Sequence, residues 1–131
     1  MSTADVIDRY YQYANSADWD SWLTLFTADV VVDEQLAGHL EGIDSLRGAG
    51  DAIDRGYSKF HMDPQHVVVQ GDEASVFWHL EAANASGVPI DAYGANYFSL
   101  TNGLISYMRT VHDTVPFIPF TSQDLSGGGA S

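Results

Sequence analysis

The feature that most constrains this chain is a change of period at Pro64. Beyond it, apolar side chains recur at every second residue through four stretches, residues 65–70, 73–84, 88–100 and 104–115. That is the spacing of strands with one buried face. Only Gly71-Asp72, Ser86-Gly87 and Asn102-Gly103 separate them. Two-residue links are too short for a crossover, so the strands must be antiparallel neighbours, and Asn-Gly is the residue pair a tight hairpin turn selects. Pro116 and Pro119 end regular pairing because proline has no N–H to give to a ladder. The last six residues, Ser-Gly-Gly-Gly-Ala-Ser, read as a loose tail.

Before Pro64 the period is helical. Ser2 and Asp5 have capping-box spacing ahead of Val6, Ile7, Tyr10, Tyr13 and Ala14, which predicts an amphipathic helix ending near Asn15. Asp18 can cap a short second helix with Trp19, Trp22, Leu23 and Phe26 on one side. Val30-Val31-Val32 is β-branched and predicts a strand running to about Leu36. Ile43, Leu46, Ile53, Tyr57 and Phe60 return to the helical period, interrupted by Gly48, Gly50 and Gly56. Helices followed by a meander of long strands imply an α+β fold in which three helices cover the apolar face of a sheet. A strongly curved sheet would form a cone enclosing a pocket, a natural place for a small ligand. The expected division is one domain over residues 1–120 and a flexible tail over 121–131, since 131 residues suit one core.

Charge narrows the possible partners. Eighteen Asp and Glu stand against five Lys and Arg, a formal net charge of −13. Affinity for nucleic acid and for anionic membranes comes from Lys and Arg, so neither is an expected partner. The chain has no cysteine, which excludes disulfides, thiolate zinc sites and thiol nucleophiles. Neither a leader-like apolar segment nor a bilayer-length run is seen, and the expected location is the cytoplasm. His61, His66, His79 and His112 are scattered, with no metal-ligand spacing, so no metal and no cofactor are expected.

What remains are polar residues on apolar faces. Tyr10 lies on the buried side of the first helix, as a core tyrosine or as a donor to a ligand. Glu34 shares a face with Val32, where a carboxylate is costly unless paired or wet. A register slip of one residue would put Asp33 there instead. Asn96 shares a face with Phe98, and His112 with Met108 and Thr110, opposite Arg109. Each is open to a structural reading, the amide bracing backbone and the histidine satisfied in the core.

The order of elements resembles the NTF2-like superfamily, which includes the ketosteroid isomerases and the SnoaL-like polyketide cyclases. Arg9-Tyr10, Ala14-Asn15-Ser16-Ala17-Asp18-Trp19-Asp20, Leu25-Phe26 and Ala28-Asp29-Val30-Val31-Val32-Asp33-Glu34 are similar to the isomerase stretch of the same layout. The likeness continues through Pro89-Ile90, Asn96-Tyr97-Phe98 and Met108-Arg109. The resemblance implies that Tyr10 stands where the isomerases keep the tyrosine that hydrogen-bonds the enolate, and Glu34 where they keep the proton-shuttling aspartate. It places Asn96 at their protonated aspartic acid, the second oxyanion donor. His112 stands where they have an apolar aromatic, which makes the pocket more polar than a steroid site. Trp78, Leu80, Ala82, Phe98 and Met108 match substrate-facing positions.

The function this implies is cofactor-independent acid–base chemistry, isomerisation or cyclisation, on a small carbonyl compound of hydrophobic or polyketide-like character. Glu34 would remove a proton, Tyr10 and Asn96 would hold the enolate oxygen, and His112 would carry a second proton. The alternatives are a binding protein without turnover and an epoxide hydrolase or dehydratase. The latter would need an arginine in the pocket, whereas Arg109 is expected on the opposite face. Tyr107, Val111 and the Pro116-Phe117-Ile118-Pro119-Phe120 segment are expected to supply apolar area on the uncovered sheet face, which suggests a homodimer.

Overall fold

The computed structural model describes residues 1–118. The expectations about Pro119, Phe120, the domain limit at 120 and the tail lie outside the described residues. The elements in chain order are α1 (Thr3–Asn15), α2 (Trp19–Leu23), β1 (Phe26–Glu34), β2 (Gly38–Glu41), α3 (Ile43–Gly56), β3 (Tyr57–Gln70), β4 (Glu73–Asn84), β5 (Pro89–Thr101) and β6 (Leu104–His112), followed by a 3₁₀ turn, Val115–Phe117. The strands form one mixed sheet in the order β2-β1-β6-β5-β4-β3. All neighbours are antiparallel except β1 and β6, which run parallel. The sheet is curved and unclosed, as the α+β reading requires.

Local chemistry accounts for the element ends. The Ser2 side chain accepts from the Asp5 N–H while the Asp5 carboxylate accepts from the Ser2 N–H, so the capping box forms as spaced. Asp18 caps α2 through the Ser21 N–H. The Asn102–Gly103 turn has φ of 52° and 81°, the left-handed pair a tight hairpin demands.

Four expectations shift. Phe26 opens β1 instead of completing α2, because the chain turns at Thr24 and Leu25 by hydrogen bonds back to Ser21 and Trp22. β1 stops at Glu34, not Leu36, and turns into the unanticipated four-residue strand β2. α3 ends at Gly56, and Tyr57 and Phe60 belong to β3, paired with Asn84 and Ala82 on β4. Pro64 therefore sits inside a strand, which is tolerable because β3 is the sheet edge and its register shifts between Pro64 and His66. β6 ends at His112, not Val115, where Asp113 accepts from the Val115 N–H and starts the 3₁₀ turn.

The core lies between α1, α2 and the concave sheet face. Val6, Ile7, Tyr10 and Tyr11 of α1 are buried with Val76, Trp78, Leu80 and Ala82 of β4 and Ile90, Ala92 and Phe98 of β5. Asn15 fastens the end of α1 to β3: its amide donates to the Met62 carbonyl (2.8 Å) and accepts from the Met62 N–H (2.7 Å). This clamp copies a strand ladder and fixes how far α1 carries its tyrosines over the sheet.

Candidate active site

Alternation along β1 turns Val30, Val32 and Glu34 to the inner face and Asp33 to the outer one. Asp33 is held there by His39 (2.6 Å), the Tyr107 hydroxyl (2.8 Å) and the Arg109 guanidinium (3.5 Å). The hydrogen bond from His39 lowers the Asp33 pKa, and Tyr107 adds to it. Arg109 is accordingly engaged on the outer face.

Glu34 meets His112. Because β1 and β6 pair in parallel, with Glu34 opposite Thr110, His112 falls two residues further along the same inner face. Its Nε2 lies 2.7 Å from Glu34 Oε1. The other carboxylate oxygen, Oε2, accepts the backbone N–H groups of Leu36 (2.8 Å) and Ala37 (2.6 Å). His112 Nδ1 lies 3.0 Å from the Asp113 carbonyl oxygen. Both ring nitrogens therefore face acceptors, an arrangement that suits the doubly protonated imidazolium. The His112 side chain is 3% exposed and that of Glu34 21%.

Burial opposes charge on both partners. For Glu34 the hydrogen bond from His112 and the two backbone N–H groups outweigh desolvation, so its pKa lies below the usual glutamate value. For His112 desolvation is likewise overcome, by Glu34 and the Asp113 carbonyl, and its pKa lies above the usual histidine value. The signs fix a stability window. Glu34 contributes fully above its ordinary value of 4.5 and loses its contribution as pH falls through its lowered pKa. His112 contributes fully below its ordinary 6.5 and loses its contribution as pH rises through its raised pKa. The pair is thus expected to add most stability between those two values. Thermal melts against pH should show a slope above 6.5 that His112→Phe reduces, the remainder belonging to His39, whose pKa the Asp33 hydrogen bond also raises; an unchanged slope would contradict a charged pair.

Around the pair stand aromatic side chains. The His112 ring is 4.8 Å from that of Phe117 in the 3₁₀ turn and 6.2 Å from Trp78. Gly94 is the cross-strand partner of both Trp78 and His112. Tyr10 packs edge-on to Phe98 at 5.0 Å, and among the described residues its hydroxyl has no hydrogen-bond partner. Burial raises the Tyr10 pKa and the nearby Glu34 charge raises it further, so the hydroxyl keeps its proton at neutral pH.

Asn96 is placed differently from a free donor. Its Oδ1 accepts from the Thr110 hydroxyl and its Nδ2 donates to the Tyr11 hydroxyl, both at 2.8 Å. Leu80, Ala82, Phe98 and Met108 are buried on the inner face. Sequence reasoning brought Glu34, His112, Tyr10 and Trp78 to one region but missed two tyrosines. Tyr11 follows Tyr10 and reaches Asn96. Tyr57 was placed on a helix, yet burial with help from Glu34 pushes its pKa up to about 12. Only the strand pairing of residue 57 could have revealed it.

Two clefts open nearby. One of about 310 Å³ is lined by Glu34 together with Asp33, Gln35, His39, Arg109 and Thr110, and not by Tyr10, Trp78 or His112. Another of about 260 Å³ lies between the ends of α1 and α3 and the start of β3, with Trp19, Tyr57 and Phe60 in its wall. Among the described residues no three His, Asp or Glu side chains are grouped to hold a metal, and no helix is long and apolar enough to cross a membrane.

The profile of the SnoaL-like domain family matches residues 7–108. No curated protein matches the chain. Solved structures with the same fold include a Pseudomonas putida protein assigned as a polyketide cyclase (16% identity, 91% of this chain and 97% of that one, TM-score 0.84). A Catenulispora acidiphila protein with a ketosteroid isomerase-like fold, solved with trimethylamine, has 13% identity over 89% and 92% of the chains and a TM-score of 0.79. TerC, co-crystallised with polyporic acid, has 18% identity over 92% and 98% and a TM-score of 0.81. The structural likeness, at such low identity, shows the NTF2-like fold alone.

Proposed function

The chain belongs to the SnoaL-like domain family, and from that premise we propose that it is a cofactor-independent acid–base enzyme acting on a small carbonyl compound through an enolate. The observation that carries this reading is the Glu34–His112 pair, 2.7 Å apart on the inner face of the sheet. A carboxylate backed by a histidine can take a proton and pass it on, because the two differ in basicity and share one hydrogen bond.

In the proposed cycle Glu34 Oε1 accepts a proton from the carbon next to the carbonyl. The C–H electron pair becomes the C=C bond of the enolate, and the charge arrives on oxygen. The Tyr10 hydroxyl, protonated and without a partner, donates to that oxygen. Such a pre-placed donor contributes on the order of 10²–10³ in turnover. The cycle closes when the proton returns from Glu34 or His112 to a second carbon. Alternatively the enolate carbon attacks another carbonyl of the same molecule, His112 protonates the resulting alkoxide, and Glu34 passes the proton it took to His112 across their hydrogen bond, which restores both groups. Asn96 accepts from Thr110 and gives one amide N–H to Tyr11, and its second amide N–H supports its reading as the further donor to the enolate oxygen.

A second reading, ligand binding without turnover, draws support from one feature. Glu34 already takes part in three hydrogen bonds, which lowers its basicity. Incubation with unactivated cyclic ketones in D₂O separates the two. An enzyme of the proposed kind exchanges the hydrogens beside the carbonyl faster than buffer does, followed by loss of their proton NMR signals. Binding with no exchange in any ketone would establish the second reading.

The uncovered sheet face suits a second copy of the chain. Phe77, Tyr93 and Val111 are 42%, 50% and 47% exposed there, and Tyr93 stacks between His79 (4.5 Å) and Phe77 (6.0 Å). Two chains of net charge −13 repel, so association favours this apolar area, and a homodimer is expected. A monomer mass by light scattering at micromolar concentration would exclude it.

A further inference from the structure

With Asp18 as its cap, α2 begins at Trp19, which sets an indole ring between the ends of α1 and α3. Trp19 is only partly buried, yet three contacts hold it. Its Nε1–H donates to the Asp54 carboxylate at 2.7 Å. Its ring lies on Gly50 of α3, where an added Cβ would come within 3.2 Å of Cγ and Cδ2. Trp22 meets it edge-on, with centroids 5.3 Å apart. Gly50 and Asp54 are four residues apart and so share one face of α3, the first making room for the ring and the second orienting it. A side chain fixed in this way is preorganised, and a ligand that meets it has little left to order.

Trp19 borders the cleft of about 260 Å³, whose wall also has Tyr57 and Phe60, packed edge to face at 5.4 Å. Asp54 lines the same cleft, and among the described residues its carboxylate has a hydrogen bond from Trp19 and no cationic partner. Lys59 is in the wall too, with its ammonium directed to Glu81 on β4 at 3.9 Å. Ring faces carry the negative end of the aromatic quadrupole and attract cations, tryptophan most strongly. Donation of the indole N–H to a carboxylate polarises the ring in the same sense.

We propose that this cleft is a second ligand site, and that it takes a small alkylammonium cation whose methyl groups meet the rings and whose charge faces Asp54. The lining selects this class. Apolar walls disfavour a hydrated metal ion, a neutral guest leaves the carboxylate unanswered, and an anion is repelled by it. The net charge of −13 concentrates cations around the molecule and favours encounter. The inference stands apart from the acid–base reading, because this cleft shares no lining residue with the one at Glu34.

Choline and 3,3-dimethylbutan-1-ol have the same shape, with a quaternary nitrogen in the first where the second has carbon. Titration of ¹⁵N-labelled protein with each, and with sodium chloride as the control for ionic strength, tests the proposal. The reporter is the Trp19 indole resonance, which Trp19→Phe identifies by its disappearance. Choline is expected to move that resonance saturably and to bind about tenfold more tightly than the alcohol, the scale of a cation–π contact at a partly shielded ring. The Trp78 indole, 1% exposed on the inner face, is expected to stay in place. Asp54→Asn keeps an oxygen to accept the Trp19 N–H and removes the charge. It is expected to weaken choline binding about two- to fivefold, the scale of an exposed ion pair, and to leave the alcohol unchanged. A Trp19 resonance that choline moves no further than sodium chloride does overturns the proposal. Equal affinity for the two probes overturns it as well, since the cleft would then be apolar and nothing more. That comparison uses the parent protein and decides the matter whether or not the variant folds. Choline affinity untouched in a folded Asp54→Asn variant also overturns it.

Discussion

Glu34→Gln is expected to lower exchange and turnover by about 10²–10⁴-fold, the usual share of a general base, while leaving the fold in place. The substitution keeps the length and shape of the side chain. Its amide oxygen can still accept the Leu36 and Ala37 N–H groups that hold Oε2 at the end of β1. What it removes is the negative charge and the basic site. His112 also loses the partner that raises its pKa against burial, so the imidazole becomes neutral at a lower pH than in the parent protein. Loss of activity with an unchanged circular dichroism spectrum at a temperature well below the melting point would separate chemistry from folding. Full activity in the variant would exclude Glu34 as the base and direct attention to His112.

The second large effect is on packing. A methyl group at position 94 would stand 2.6 Å from His112 Cβ and from two ring carbons of Trp78, a distance at which something must move. Gly94→Ala is expected to destabilise the protein by about 1–3 kcal/mol through overpacking. Because the displaced groups are the indole and the imidazole, activity should fall as well; a shift of about 1 Å in such a site can cost about 100-fold. Gly48 provides the contrast. It lies within α3 with nothing within 4 Å of an added Cβ, so Gly48→Ala should stabilise the helix by about 0.5–1 kcal/mol. Urea denaturation of the two variants reads both signs, and an unshifted midpoint for Gly94→Ala would mean that the strands have room to part.

Much of the architecture was legible from local rules. The capping box at Ser2 and Asp5, the cap at Asp18 and the Asn102-Gly103 turn act within three or four residues, and each appears where its spacing placed it. The alternation along β4, β5 and β6 assigned Trp78, Asn96, Phe98, Met108 and His112 to one face, because a two-residue period admits only two faces. That of β1 assigned Glu34 to the same face as Val32. These local signals carried the resemblance to the SnoaL-like domain family.

Other features depended on partners distant in sequence. The turn at Thr24 and Leu25, the entry of Tyr57 and Phe60 into β3 and the presence of Pro64 in a strand are settled by pairing with β4 and by the edge position of β3. The parallel register of β1 against β6 decides that Glu34 meets His112 and that Asp33 meets Arg109. The direction α1 takes, fixed by the Asn15 clamp on Met62, puts the Tyr11 hydroxyl against Asn96 and leaves that of Tyr10 unpartnered. The sequence by itself determined which faces are apolar and which residues turn inward, since these follow from periods of two and 3.6 along a single strand or helix. Which inward residues touch was decided by the tertiary structure, because strand register and helix placement are set by the summed packing of all the elements together.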